Sequence, residues 1–137
     1  MRDHLGWASP PFSASSKTMR GWAPWAMAEV QILKDLQHPN IVQLLEVDET
    51  FDKVYLVLEY VTGGNLRQRI LRTENHGLPE EEARGIFRDI VGAVDYCHAQ
   101  GIVHGDLKPQ NVLIDSQGHA KICDLGGASR FLPGKEV

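Results

Sequence analysis

Along residues 79–100, Ala83, Ile86, Phe87, Ile90, Val91, Ala93, Val94 and Cys97 recur every three or four positions, which predicts an amphipathic helix burying that stripe. Its ends are marked. Pro79 stands at the entry, Glu80, Glu81 and Glu82 put negative charge at the positive end of the helix dipole, and Gly101 supplies the exit. A shorter helix of about three turns is predicted from Pro24 onward, where Met27, Val30, Leu33 and Leu36 share a face until His38-Pro39-Asn40 ends the run. Residues 41–47 and 54–61 are rich in β-formers and are joined by polar residues 48–53, so they read as a hairpin, after which Gly63-Gly64 turns the chain. Further on, Ile102-Val103 and Val112-Leu113-Ile114 bracket a polar loop. Two short buried strands are expected there, anchoring the loop at both ends.

Residues 1–25 have a different texture, with four serines, three prolines and all three tryptophans, Trp7, Trp22 and Trp25, but no helical or alternating apolar period. They read as a poorly ordered segment in front of a domain at 26–137, with the tryptophans as a loose packing or docking patch. The amino terminus lacks the apolar core of a signal peptide, and no apolar run approaches the ~18 residues that would span a membrane.

Composition narrows the class. The chain has 137 residues, 42% of them hydrophobic, and a formal net charge of −4, which gives no reason to expect nucleic acid or an anionic membrane as partner. Cys97 and Cys123 show neither metal spacing nor a disulfide framework, which suits a reducing, cytoplasmic compartment.

Candidate chemistry concentrates in residues 102–115 and at Asp124-Leu125-Gly126. Asp106, Lys108 and Asn111 alternate around Pro109, whose fixed φ and missing N–H exclude a helix interior and a central strand, so three polar groups project from an irregular loop. That set suits phosphoryl transfer. A carboxylate can orient a hydroxyl, a cation can offset charge on the moving group, and the oxygens of Asn111 and Asp124 can hold Mg²⁺, which prefers hard ligands. Little covalent work is then left to the protein, and a positioned proton acceptor is worth roughly 10²–10⁴-fold in rate.

The run His104-Gly105-Asp106-Leu107-Lys108-Pro109-Gln110-Asn111, followed by Asp124-Leu125-Gly126, resembles the catalytic and magnesium motifs of protein kinases, and the lysine two residues after the aspartate resembles the serine/threonine branch. The resemblance covers about residues 26–137. It implies an α+β, partial protein-kinase-like fold with the αC helix, the hinge strands, the αE helix and the catalytic loop, lacking the first strands of the N-lobe and most of the C-lobe. It also implies ATP and Mg²⁺ as cofactors, Asp106 as base, Lys108 on the γ-phosphate, and Asn111 and Asp124 on the metal. Glu29 would be the αC carboxylate, Leu58 the gatekeeper beside the adenine, and the backbone of Glu59, Tyr60 and Val61 the hinge. Asn65 falls where many relatives place a ribose-binding acid, and Leu113 would pack under the adenine. Leu44, Leu33, Leu125 and His104 would form a second internal stack. Glu29-Val-Gln-Ile-Leu-Lys, His38-Pro-Asn-Ile-Val, Tyr96-Cys-His and Arg130-Phe-Leu-Pro-Gly134 look most like the calcium/calmodulin-dependent and AMP-activated branch. Sperm motility and microtubule affinity-regulating kinases are the nearest types.

Several features depart from that pattern. No glycine-rich loop and no strand-borne phosphate-binding lysine is found upstream; Lys17 lacks β-branched neighbours. Gly105 replaces the usual arginine, so control through a phosphorylated activation loop is not expected, and Leu125 replaces the common phenylalanine. The motifs of the substrate-binding lobe do not follow Asp124. The expectation is therefore a serine/threonine kinase-like chain that is inactive alone, with an unknown protein substrate. The alternatives are a pseudokinase-like binding or decoy module that engages a full-length kinase or its regulators, and a truncated gene product.

Overall fold

The computed structural model describes residues 12–15 and 24–131, without the side chains of 12–15, 24–27 and 126. The readings placed on Trp7, Lys17, Trp22 and Gly134 lie outside the described residues, as does the side chain of Trp25. The chain divides into two compact units, one of residues 12–15, 24–37 and 42–60, the other of 38–41 and 61–131.

In the first unit, helix α1 spans Pro24–Asp35 and buries Val30, Leu33 and Leu36 of the face that the spacing predicts, together with Ile32, which the spacing does not include; the side chain of Met27 lies outside the described residues. The expected hairpin is present, with strand β2 at Leu44–Glu49 antiparallel to β3 at Lys53–Leu58 and a register shift between Leu44 and Glu46. Its bounds differ from the apolar runs. The first run begins as strand only at Leu44, because Ile41 belongs to the other unit, where it bridges Ile122 and the Ile122 N–H donates to Asn40 O (2.9 Å). The second run ends at Leu58, and the Glu59 N–H closes the pair on Gln43 O (2.9 Å). A strand without a sequence signal, β1 at Phe12–Ser15, pairs antiparallel with β3 from Phe12↔Leu56 to Ser15↔Lys53, giving the sheet order β1-β3-β2.

The second unit is built on the long predicted helix, α3 at Glu80–Ala99. Ile86, Ala93 and Cys97 are buried, and Ile86 joins Val112, Ile114 and Ala120 in a cluster completed by Leu66, Leu78 and Ile90. Each fully buried branched side chain contributes about 1.5–3 kcal/mol. Part of the predicted stripe stays outside: Phe87 is 66% and Val91 46% exposed, so the apolar face is wider than the surface that covers it. Ahead of α3, helix α2 at Leu66–Arg72 opens with a capping box. Asn65 Oδ1 accepts the Gln68 N–H (2.8 Å), and Gln68 Oε1 accepts the Asn65 N–H (2.9 Å).

Four short strands complete this unit. The strands expected to anchor the polar loop are β4 at Ile102–Val103 and β5 at Val112–Ile114, but they do not pair with each other. β5 forms a hairpin with β6 at Ala120–Ile122, and β4 pairs with β7 at Ser129–Arg130, so the loop ends are held by chain that follows them. The Gly63-Gly64 turn is tied to β5 by Gly63 N–H to Ile114 O (2.7 Å) and Ile114 N–H to Gly64 O (2.8 Å). A β-carbon at Gly63 would collide with the Ile114 carbonyl oxygen, so the close approach needs glycine.

Candidate phosphoryl-transfer loop

The loop between β4 and β5 is shaped from inside by two buried polar side chains, His104 and Asn111. His104 Nδ1 accepts the Asp106 N–H (3.1 Å), which leaves the ring proton on Nε2, where it donates to Cys123 O (2.9 Å). One imidazole thus joins the backbone at Asp106 to that at Cys123. The Asn111 amide holds Asp106 a second time: Nδ2 donates to Asp106 O (2.8 Å) and lies 3.4 Å from Asp106 Oδ2. Its main chain is engaged as well, with the N–H on Lys108 O (2.8 Å) and the carbonyl accepting the Cys123 N–H (2.9 Å). Pro109 occupies the first position of a 3₁₀ turn over Pro109–Asn111, where a missing N–H costs nothing.

Asp106 and Lys108 are about half exposed, and Lys108 Nζ stands 3.4 Å from Asp106 Oδ2. The pair contributes little to stability at that exposure. Its arrangement places a carboxylate and a cation on the solvent side of a loop whose inner side is fixed. Because Nδ2 of Asn111 is committed to Asp106 O, its Oδ1 is oriented away and accepts no hydrogen bond among the described residues. The Cys123–Asn111 backbone bond brings Asp124 next in chain to the loop.

Asp124 sits at φ 58°, ψ 71°, in the left-handed region, at a cost of about 1–2 kcal/mol for a residue with a β-carbon. The 3₁₀ turn Leu125–Gly127 follows directly, and its Leu125 is buried, which offsets that strain and leaves the carboxylate exposed. The neighbouring thiol feels both effects: burial, and then the Asp124 charge, push the Cys123 pKa up to about 11. Burial also raises that of Cys97. Neither cysteine is disulfide-bonded.

Gly105 explains a departure noted above. Its φ is +83°, and a β-carbon there would stand 2.7 Å from Gly127 O, so the backbone at this point admits no side chain without moving. An arginine is excluded by the same contact.

The structure thus brings Asp106, Lys108 and Asn111 together, with Asp124 beside them. Asn65 and Leu113 meet as an antiparallel bridge, and the Asn65 side chain caps α2. Val61 is buried in the same unit. Glu29, half-buried on α1, and Leu58 and Glu59 at the end of β3 belong to the first unit, where Glu59 Oε1 accepts the Gln43 N–H (2.9 Å). The role of His104 as a bridge to Cys123 has no sequence signal. The α2 helix does have one, an asparagine followed three positions on by glutamine, the capping-box spacing.

Among the described residues no group of three or more His, Cys, Asp and Glu converges on a possible ion. An Asn111–Asp124 pair of hard oxygens with water and phosphate oxygens in the remaining positions is the donor set that Mg²⁺ favours over an all-protein cage, so the residues present fit that ion.

Residues 13–137 match the family model of the protein kinase domain. Sperm motility kinase Z of Mus musculus is 46% identical over 121 residues, covering 88% of this chain and 24% of that protein. CBL-interacting protein kinase 32 of Oryza sativa subsp. japonica is 48% identical over 99 residues, 72% of this chain and 22% of that protein. CBL-interacting serine/threonine-protein kinase 8 of Arabidopsis thaliana is 49% identical over 98 residues, again 72% and 22%. The chain spans about a quarter of the length of the curated relatives it matches.

Proposed function

Because the chain belongs to the protein kinase family, we propose that its 104–124 region carries the phosphoryl-transfer chemistry of a serine/threonine protein kinase acting on protein hydroxyls. The observation that supports this most is the fixed inner side of the loop, where His104 and Asn111 hold the Asp106 backbone from both directions. Bound Mg-ATP would supply the γ-phosphoryl group and the metal's charge. Asp106 would orient the acceptor hydroxyl and take its proton, Lys108 would offset negative charge, and Asn111 Oδ1 with the Asp124 carboxylate would hold the ion. Preorganisation is the protein's part: the acceptor carboxylate is placed by backbone bonds that need no rearrangement during the reaction.

Ahead of helix α1 the sequence carries no glycine-rich loop motif and no lysine among β-branched neighbours, so slower turnover than that of a kinase with both is expected of this chain measured alone. The test is magnesium-dependent transfer of labelled phosphate from ATP to serine and threonine peptides. Weak transfer that falls at least about 10²-fold in Asp106→Asn supports the reading. Equal transfer by the variant, or none from a cooperatively folded chain, opposes it.

A second reading, a binding module engaging a full-length kinase or its regulators, draws on exposed Phe87 and Val91 on α3. Among the described residues no helix is long and apolar enough to cross a membrane, and two free thiols favour a cytoplasmic location.

A further inference from the structure

Helix α2 is a basic element in an acidic chain. Its seven residues, Leu66–Arg72, include three arginines and no acid, whereas the chain as a whole carries −4. Beside it lies an open groove of about 600 Å³ lined by Thr62, Gly63, Gly64, Gln68, Leu71 and Arg72. No carboxylate is among these.

The groove is rigid for reasons already described. Backbone bonds tie Gly63 and Gly64 to β5, and the absence of a side chain at Gly63 lets the chain approach Ile114 that closely. Gln68 is fixed by its reciprocal bonds with Asn65. On the other faces of α2 the residues are spoken for. Leu66 packs against the Ile86 cluster, and Arg69 is held by Glu82 (2.7 Å). Ile70 is partly buried, and Arg67, Leu71 and Arg72 remain. Positions 67 and 71 are one helical turn apart and share a face. Leu71 is 51% exposed, and Arg67 and Arg72 are exposed with no ion-pair partner among the described residues.

We propose that this groove docks an acidic segment of a partner protein, one apolar side chain resting on Leu71 and carboxylates on either side reaching Arg67 and Arg72. The planar guanidinium suits a carboxylate, and a leucine between two arginines supplies an apolar anchor with charged flanks. Exposed pairs are individually weak, so the occupant needs several carboxylates and the binding weakens with salt. No residue of 104–124 lines the groove, although Gly63 and Gly64 bond to Ile114 and α2 packs on the Pro109–Asn111 turn. Docking uses no nucleotide chemistry and is measured without ATP, so it stands or falls apart from the transfer reading.

The experiment is fluorescence anisotropy of the whole chain with a short fluorescein-labelled peptide of aspartates and glutamates around one leucine. Comparison peptides carry lysine at every acid, or serine for leucine. The acidic peptide is expected to bind, the lysine peptide not to bind, and the serine peptide to bind several-fold more weakly. Arg72→Glu is expected to weaken the acidic peptide at least about tenfold and Leu71→Ser several-fold. Arg84→Glu, the same charge change on the exposed side of α3, should leave the affinity within about twofold. Equal binding of acidic and basic peptides overturns the proposal. So does a loss in Arg84→Glu as large as in Arg72→Glu, which would mean net charge alone, or absence of binding to a chain that melts cooperatively.

Discussion

Residues 104–111 and residues 50–53 are both polar connections that follow a strand, yet they are held in opposite ways. The 50–53 turn is held by bonds that stay within three residues: the Thr50 N–H donates to Lys53 O (2.8 Å), the Lys53 N–H to Thr50 Oγ1 (3.1 Å), and Thr50 Oγ1 to Asp52 Oδ1 (3.3 Å). Phe51 at its tip is 93% exposed. In the 104–111 loop, buried His104 and Asn111 bond to backbone in three separate stretches of chain, 104–106, 108 and 123. Local bonds suffice to set the shape of a turn. Holding a carboxylate at a defined place takes buried polar groups whose partners come from elsewhere, because each such bond is costly to leave unmade.

The largest effect expected from this contrast is at His104. His104→Ala leaves the Asp106 N–H and the Cys123 carbonyl without their partner, about 1–3 kcal/mol each, so urea unfolding followed by circular dichroism should show a loss of roughly 2–6 kcal/mol. Next comes Gly105→Ala. The left-handed backbone costs about 1–2 kcal/mol for alanine, and the contact with Gly127 O adds to it, which should lower the urea midpoint and exceed any effect of substitution in the 50–53 turn.

Cys123 gives a smaller effect that depends on pH. Burial and the Asp124 charge raise its pKa from 9.0 to about 11, so above pH 9 the unfolded chain loses its thiol proton first. The contribution to stability is therefore complete below about pH 9 and is lost as pH rises toward about 11. The wild-type urea midpoint should fall through that range more than that of Cys123→Ala. At neutral pH the Cys123 thiolate is about a hundredfold scarcer than in an unfolded chain, and iodoacetamide labelling read by mass spectrometry should be slower by a similar factor. The smallest effect belongs to the other loop: Phe51→Ser should change stability by no more than about 0.5 kcal/mol, and a larger loss would erase the distinction between the two loops.

The same contrast separates what could be read from residues alone. Helix α3 was legible because twenty residues repeat one period and both ends carry markers, and the observed bounds differ from the expected ones by about a residue. The 104–111 loop was legible as an irregular polar connection because Pro109 excludes a helix interior and a central strand, and the structure places Asp106, Lys108 and Asn111 together in it. Burial of the α3 stripe was only half legible, since periodicity shows which side is apolar and says nothing of what covers Phe87 and Val91. Strand β1, Phe12–Ser15, alternates apolar and polar over only four residues, too short a run to stand out from the serine-rich segment around it, and its pairing with β3 comes from tertiary contact. Ile41 looks like a strand residue, and its partner Ile122 lies far along the chain. The capping box before α2 was a local signal that the arginine-rich, weakly periodic sequence of that helix obscured.

If, as proposed, Asn111 and Asp124 make the 104–124 region a magnesium–nucleotide site, Mg-ATP stabilises the folded chain. A thermal unfolding scan of the purified chain with and without Mg-ATP, beside Asp124→Ala, tests it most directly. The account predicts one cooperative transition that rises by a few degrees with Mg-ATP and rises less in the variant, with ATP plus a chelator giving little shift. A cooperative transition that Mg-ATP leaves unmoved, or moves equally in Asp124→Ala, would contradict it.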